Sequence, residues 1–398
     1  MPGGAGMCRL PDGSVGFVEG AFPGDTVRPL EFVKKRDFSR ATRFELVEAS
    51  PERVPAPCPV VDACGGCDWM KLERSAELRE KASVVVQALE RTGGVRLAGV
   101  PEVVTAGGEL GYRSRIRLHL DDRGRVGFYA RGTHALVEVP GCPVAEPEVE
   151  RGIALVRAVA EAEPRAMARF ESIEVRARDE GGLAFVAHPR DVRAGTTHDD
   201  ELVLERLREH GQATIARAGT EFSQVNRAVN ALLVARVVDG ARARSARTFL
   251  DLYAGSGNFG VPLARAGIFG VSVESDAGSA ARARGRAESE APGRLRVLAK
   301  DVLRGLAALQ NEKAAFDLAV LDPPRAGAKE ALPGLAALSP RSIAYVACDP
   351  VTLARDVRAL VEKGWAVAEV TCFDMFPKTH HVETLVWLER EHFDRSPP

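Results

Sequence analysis

The chain has 398 residues, 45% of them hydrophobic and 27% charged, and a formal net charge of −1. That length suits two or three domains, and the composition is that of a soluble globular protein. No segment approaches eighteen uncharged apolar residues, which excludes a membrane span, and the start "MPGGAGMCRL" lacks the basic and apolar regions of a signal peptide, which places the protein in the cytoplasm.

In chain order, residues 11–48 read as short strands, "GSVGFVEG", "GDTVRPLEFVKK" and "RATRFELVEAS", broken by Gly, Pro and Asp; this pattern predicts a small β-barrel. Within it, residues 34–43 carry Lys34, Lys35, Arg36, Arg40 and Arg43 against Asp37. A near-neutral total charge does not announce a nucleic-acid binder, but such a run can meet phosphates or can be a solvated face. "SPERVPAPCP" is a Pro-rich connector.

There are seven cysteines, an odd number, with no export signal, so structural disulfides are not expected. Cys58, Cys64 and Cys67 form C-x5-C-x2-C in "CPVVDACGGCDW", and Cys142 sits between glycine and proline in "VPGCPVAEP". Four thiolates can hold a [4Fe–4S] cluster or a tetrahedral zinc, and spacing alone does not choose between them. Four ligands argue for a closed, non-catalytic centre.

Residues 73–92 have helical periodicity with charges on one face. "GYRSRIRLHLDDRGRVGFYARG" reads as a hairpin turning at "DRGR". Six arginines between 112 and 131 face Asp121 and Asp122, and the alternation sets Arg113, Arg115 and Arg117 on one strand face. Residues 146–220 mix helices and strands without identifiable chemistry.

From 246 onward "RTFLDLYAGSG", "GVSVESD", "RLRVLAKD", "FDLAVLDPPRAG", "SIAYVACDP", "WAVAEVTCFDMFP" and "HVETLVWLER" are apolar strands with helix-compatible segments between most of them. This is a doubly wound α/β domain, whose ligands sit at the carboxyl ends of the strands. Asp251, Glu274, Asp301, Asp322 and Cys348 all fall at or near those ends. "GSGNFG" matches G-x-G-x-x-G, and Glu274 follows Gly255 by 19 residues. That fingerprint serves a dinucleotide or S-adenosylmethionine equally. Asp251, able to face the cationic end of a methionine moiety, and "LDPPR" favour the second. A methyltransferase acting on N or O needs no thiol. Carbon 5 of a pyrimidine does, because thiolate attack at carbon 6 makes it nucleophilic, and a base must then remove the carbon-5 proton. Cys348 and Glu383 are the candidates.

On these motifs, with "EFSQVN", "VESD", "ACDPVTLARD" and "HHVETLVWLER", the sequence resembles the RNA uracil-5-methyltransferases, in particular the iron–sulfur branch that methylates 23S ribosomal RNA. The resemblance covers nearly the whole chain. It implies a TRAM-type (OB-like) barrel over 1–50, an α+β iron–sulfur and RNA-binding domain over 51–220, and a Rossmann-like class I S-adenosylmethionine-dependent domain over 221–398, with helix 73–92 packing on the last; the start at "MPGGAG" departs from the family pattern and leaves open either a missing first strand or a misassigned start. It implies Cys348 as nucleophile and Glu383 as base. The implied cofactor contacts are Gln224, Tyr253, Asn258, Glu274, Asp301 and Asp322, and the [4Fe–4S] ligands are Cys58, Cys64, Cys67 and Cys142. The partner is ribosomal RNA, the expected state a monomer without an obligate protein partner. Cys8 and Cys372 match no family position and read as structural. The rival readings are the same reaction on transfer RNA, an NAD-linked iron–sulfur oxidoreductase, and a non-catalytic RNA-binding protein.

Overall fold

The computed structural model describes residues 2–10, 12–34, 36, 38–178, 181–191, 198–211, 214–217 and 224–390. Strands β1 (Gly6–Arg9), β2 (Val15–Val18), β3 (Thr26–Lys34) and β4 (Ser39–Glu48) form one sheet in the order β1-β2-β4-β3. β1 lies ahead of the first strand read from the sequence: "GMCR" shows no alternation of its own and is recruited by pairing with β2, Gly6 opposite Val18. Among the described residues no ladder joins β1 to β3, so the sheet is open. Of the basic run, Arg40 pairs with Glu19 and Arg43 with Glu31, at 2.7 and 2.6 Å, while Lys35 and Asp37 lie outside the described residues.

After the cysteine-bearing connector come α1 (Arg74–Arg91), β5 (Val103–Val104), β6 (Arg115–Leu120), β7 (Val126–Tyr129), β8 (Leu136–Glu138), α2 (Pro147–Ala162), α3 (Pro164–Met167), β9 (Phe170–Ala177), β10 (Leu183–Pro189), α4 (His198–Gly211) and β11 (Thr214–Arg217). Six of these strands make a second sheet, β11-β10-β9-β6-β7-β8. β6 and β7 are the expected hairpin; Asp121 closes it by accepting from the Arg123 and Arg125 N–H groups, both at 2.9 Å. Alternation in β6 buries Ile116, Leu118 and Leu120 with α2 residues Val149, Ile153 and Val156 and leaves Arg115 and Arg117 on the other face.

The remaining elements are α5 (Arg227–Ala243), β12 (Thr248–Leu252), α6 (Gly260–Arg265), β13 (Phe269–Glu274), α7 (Ala277–Glu290), β14 (Leu295–Ala299), α8 (Val302–Asn311), β15 (Leu318–Leu321), α9 (Leu332–Leu338), β16 (Ser342–Ala347), α10 (Pro350–Val361), β17 (Trp365–Phe373) and β18 (Glu383–Arg390). The sheet runs β14-β13-β12-β15-β16-β18-β17-β5, parallel from β14 to β16, with β18 antiparallel between β16 and β17. Its strands are nearly continuous apolar runs because both faces are covered. Leu250, Leu252, Leu321, Ile343 and Tyr345 pack under α1, α8, α9 and α10; Phe249, Val320, Ala344 and Trp387 pack under α5 and α6. Cys372 lies fully buried in the first of these cores and Cys8 packs on Val18 and Ala41, as structural thiols do. No described helix is long and apolar enough to cross a membrane.

Two segments from ahead of residue 221 belong to this layer. β5 extends the sheet beside β17, and α1 places Val85, Ala88 and Leu89 in its core. The charges of α1 are not confined to an outer face. Glu77 and Lys81, one turn apart, are both 0% exposed. Lys81 Nζ donates to Glu77 at 2.8 Å, to Asp374, and to the Phe376 carbonyl at 3.0 Å. Arg74 pairs with Asp374, and Lys378 Nζ with Glu109 at 2.8 Å. Three cations thus stand against three carboxylates where α1 meets the loop after β17. Removing one partner of a buried ion pair leaves the other charge uncompensated, at about 3–5 kcal/mol. Lys81→Met is therefore expected to lower the urea midpoint by an amount equivalent to roughly 3–5 kcal/mol, while the exposed-pair variant Arg43→Gln shifts it by less than about 1 kcal/mol.

Candidate active site

The carboxyl ends of β15 and β16 and the start of β18 meet at one point. The β16–β18 ladder ends with Ala347 opposite Thr384; Cys348 follows the one and Glu383 precedes the other, so the two come close at this rim. Asp322 follows the last residue of neighbouring β15, whose Leu321 pairs with Tyr345 of β16. Three sequence candidates from separate motifs are thereby gathered by strand register.

Their electrostatics follow from burial. Glu383 is 3% exposed, and burial with the nearby Asp322 charge raises its carboxyl well above the usual range. Burial pushes Asp322 to about 7. The Cys348 thiol is pushed up to about 11 by burial, then by Glu383 and Asp322. The Arg325 guanidinium opposes both the Cys348 and the Glu383 shifts. Cys348 also precedes the N-terminus of α10, where Asp349 caps by accepting from the Val351 and Thr352 N–H groups at 3.0 and 2.8 Å; a helix N-terminus favours a thiolate. His381, held down to about 4 by burial and by His380, is neutral at neutral pH.

The glycine loop lies at the end of β12. Tyr253 takes a left-handed φ of 62°, an uncommon conformation for a residue with a side chain and one that clusters at ligand sites. Gly257 has φ 85°, and a β-carbon on Gly260 would stand 2.7 Å from Asp251 Oδ2, so neither position admits another residue without strain. Asp251 is fully buried beneath this loop: it accepts from Ser272 Oγ at 3.1 Å and from the Gly260 N–H, and burial lifts it to about 7. It serves the loop from below rather than lining its open rim. Glu274 closes the loop's other side, accepting from Gly255 N–H at 2.8 Å and Asp276 N–H at 2.7 Å. The Tyr253 phenol faces Asp301, which caps α8 through the Leu303 N–H at 2.9 Å. Asn258 exchanges amide hydrogen bonds with Asn230 of α5 at 3.0 and 3.1 Å. Gln224 follows residues outside the described set; its carbonyl accepts from Ser114 Oγ at 3.4 Å.

Cys58, Cys64, Cys67 and Cys142 line one cavity of about 600 Å³, together with Arg113, Arg115, Arg117, Arg131, His119 and Tyr129. Burial raises the Cys67 thiol to about 12 and Cys142 to about 11. Arg113 faces both, and Cys64 accepts from the Gly66 N–H at 3.4 Å. Among the described residues no three His, Cys, Asp or Glu close on a single-ion site. The three hairpin arginines do not behave alike. Arg113 is turned inward, its Nε 3.4 Å from the Tyr112 hydroxyl and its guanidinium 5.9 Å from the Phe376 ring centre. Arg115 and Arg117 approach Glu174 at 3.7 and 3.2 Å.

Sequence reasoning missed three features. Arg325 was quoted within "LDPPR" without a role. Thr352, Arg355 and Asp356, spaced to share one face of α10, bind the loop that carries Arg325. His380 stood only as a fallback base, and its pairing through Nδ1 with Asp68, the residue after Cys67, was not foreseen. The i, i+3, i+4 spacing in "VTLARD" was the one available signal.

The sequence matches the family model described as tRNA (Uracil-5-)-methyltransferase over residues 297–391. An uncharacterized RNA methyltransferase of Gloeobacter violaceus is 31% identical over 98% of this chain and 94% of its own. The 23S rRNA (uracil(1939)-C(5))-methyltransferase RlmD of Chromohalobacter salexigens is 34% identical over 98% of this chain and 87% of its own. The crystal structure of Pyrococcus abyssi tRNA (uracil-54, C5)-methyltransferase with S-adenosyl-L-homocysteine superposes with a TM-score of 0.69 at 22% identity, covering 96% of this chain and all of that one, and shares its fold. The fold, the meeting of Cys348 and Glu383, and relatives aligned over almost the full length have one reading: the chain belongs to the RNA (uracil-C5)-methyltransferase family.

Proposed function

We propose that the protein methylates carbon 5 of a uridine in 23S ribosomal RNA, through a covalent bond between Cys348 and carbon 6 of the ring. The observation that carries this reading is the meeting of Cys348, at the end of β16, with Glu383, at the start of β18, and with Asp322 and Arg325 from the loop after β15. S-adenosylmethionine, when bound, supplies the electrophilic methyl group. The residues available to hold it are Glu274 and Tyr253 at the glycine loop, with Asn258, Asp301, Asp322 and Gln224; the strained Tyr253 backbone fits a loop shaped around a ligand. The Cys348 thiolate attacks carbon 6, leaving negative charge on the carbon-5 side of the ring; after methylation Glu383 takes the carbon-5 proton and the thiolate is expelled. In the free protein both Cys348 and Glu383 are biased toward their protonated forms, and Arg325 is the cation that counters the bias.

Cys58, Cys64, Cys67 and Cys142 are the proposed ligands of a [4Fe–4S] cluster. The four thiols line one cavity, as the ligands of a single centre would. The cluster would cross-link a connector without helix or strand, and no open coordination position is called for. The first four strands supply the TRAM-type module of this reading, and Arg115 and Arg117 supply contacts to RNA phosphates. Ribosomal rather than transfer RNA is favoured by the relatives of 30% identity or more whose names give 23S rRNA as the substrate.

Protein purified without oxygen should be brown and hold about four iron and four sulfide per chain; zinc in place of iron in metal analysis would overturn the cluster. Arg115→Gln with Arg117→Gln should weaken RNA binding and reduce the slope of log affinity against log salt by about 1–2; an unchanged slope returns these residues to a solvated, Glu174-paired face.

Cys348→Ala should abolish methyl transfer and leave S-adenosylmethionine binding within about twofold, since the thiol is not among the groups that hold the cofactor. Glu383→Gln should instead accumulate methylated RNA joined to Cys348, visible as a shifted band on a denaturing gel, because release and not attack needs the base. Normal turnover by Glu383→Gln without adduct would move the base to His380, His381 or Asp349.

A further inference from the structure

The loop after β15 carries Arg325, and its backbone is held almost group by group from α10. Thr352 Oγ1 donates to the Arg325 carbonyl at 3.0 Å. Arg355 Nη2 donates to the Ala326 carbonyl at 2.9 Å. Asp356 Oδ2 accepts from the Ala328 N–H and from the Tyr345 hydroxyl, both at 2.7 Å. The Arg355 Nε returns to Asp356 Oδ1 at 2.9 Å, so the clamp is itself braced. Asp356 and Tyr345 are each 0% exposed. Between them Gly327 has φ 80°, and a β-carbon there would lie 2.5 Å from both Arg355 Nη2 and Asp356 Oδ2. The loop therefore has one place to sit. The Arg325 side chain, by contrast, is exposed and makes no hydrogen bond or ion pair among the described residues.

We infer that Thr352, Arg355, Asp356 and Tyr345 are positioning residues: they fix the 325–328 backbone so that the unpaired Arg325 guanidinium faces Cys348 and Glu383 and favours the attacking thiolate. The inference rests on Cys348 as the nucleophile. The charged groups that face Cys348 are Glu383 from β18, and Asp322 and Arg325 from the loop after β15. The first two, when ionised, disfavour the thiolate; Arg325 is the one cation of the set. Because α10 begins two residues after Cys348, the same helix supplies the thiol's N-terminal dipole and the grip on its counter-charge. This accounts for "VTLARD" following the thiol in sequence: the nucleophile and the residues that aim its cation travel on one rigid element.

The test is the rate of Cys348 alkylation by iodoacetamide in the full chain, without RNA, followed from pH 7 to 10 by mass spectrometry of the Cys348 peptide. Arg325→Met should raise the thiol's midpoint by about half a unit, which slows alkylation about threefold at fixed pH. Asp356→Asn and the milder Thr352→Val should slow it in the same direction. Asp356→Asn added to Arg325→Met should change nothing further, since groups acting through one another are non-additive. The fully buried Cys372 is the control, because a merely loosened fold would speed its labelling. Alkylation of Cys348 unaffected by Thr352→Val and Asp356→Asn, or slowed equally whether or not Arg325 is present, overturns the inference and leaves the nucleophile reading standing. Methyl transfer by Cys348→Ala would sink that reading instead, whatever the alkylation rates.

Discussion

The site depends on one topological fact: β18 enters the sheet antiparallel, between β16 and β17. A parallel strand in that slot would begin at the far edge of the sheet and could not deliver its first residue to the carboxyl rim. Running antiparallel, β18 starts where β16 ends, and Glu383 comes to face Cys348. Both ladders of β18 are buried, and its residues Thr384 to Leu388 are each 0% exposed, so the register is fixed by packing on two faces and hydrogen bonds on two edges. A slip of one residue would turn Glu383 to the opposite face and bury the wrong set of side chains. The closeness of Glu383 to Cys348 thus follows from the packing of β18.

The same strength creates a demand at the start of β18, where the chain must leave β17, cross the rim and re-enter. The crossing segment, residues 374–382, has no helix or strand, yet it is almost wholly buried. Its fixation comes from elsewhere in the chain. Asp374 and the Phe376 carbonyl receive Lys81, the Lys378 N–H donates to Glu77 at 2.7 Å, and the Pro377 carbonyl accepts from the Tyr112 hydroxyl at 3.0 Å. A buried ion network is a costly way to join two surfaces compared with apolar packing. It is suited to holding peptide groups that have no ladder partners, because Lys81 donates to the Phe376 carbonyl and Glu77 accepts from the Lys378 N–H besides pairing with each other.

Much of this was legible in the sequence, and the parts that were share a property. Strands β12 to β18 are runs of apolar residues ending in turn or rim residues, so periodicity and punctuation located them, and Cys348, Asp322, Glu274 and Glu383 fell at strand ends for the same reason. β6 kept its alternation, which located the hairpin. What stayed hidden depends on partners distant in sequence. Glu77 and Lys81 look like a solvent-facing pair until Asp374, 293 residues away from Lys81, is brought beside them. Arg113 shares an alternating pattern with Arg115 and Arg117 but sits before the strand begins, where the backbone turns it toward Tyr112 and the cysteines. β1 has no pattern of its own and exists through β2. Asp251 shows the limit of motif reading: a carboxylate next to a glycine loop can serve the ligand or the loop, and here Ser272 and Gly260 claim it.

These observations give the cysteine-bearing segment a mechanical meaning beyond binding RNA. Asp68 follows Cys67 directly and accepts from the His380 N–H as well as pairing with its ring; Trp69 donates its backbone N–H to the Lys378 carbonyl at 3.0 Å and its indole N–H to the Gly4 carbonyl at 3.0 Å. The turn after the third cysteine is therefore bonded to the peptide that leads into Glu383 and to the N-terminal turn at once. Residues 49–73 contain no helix or strand to stiffen them, and on the proposed reading a metal cross-link would supply that rigidity. With four thiolates bound at one centre, the position of Asp68 is set by the cluster, that of His380 by Asp68, and the entry to β18 by His380. On the proposed reading the cluster needs no redox chemistry to matter to methyl transfer: it is the far anchor of the strand that carries the base.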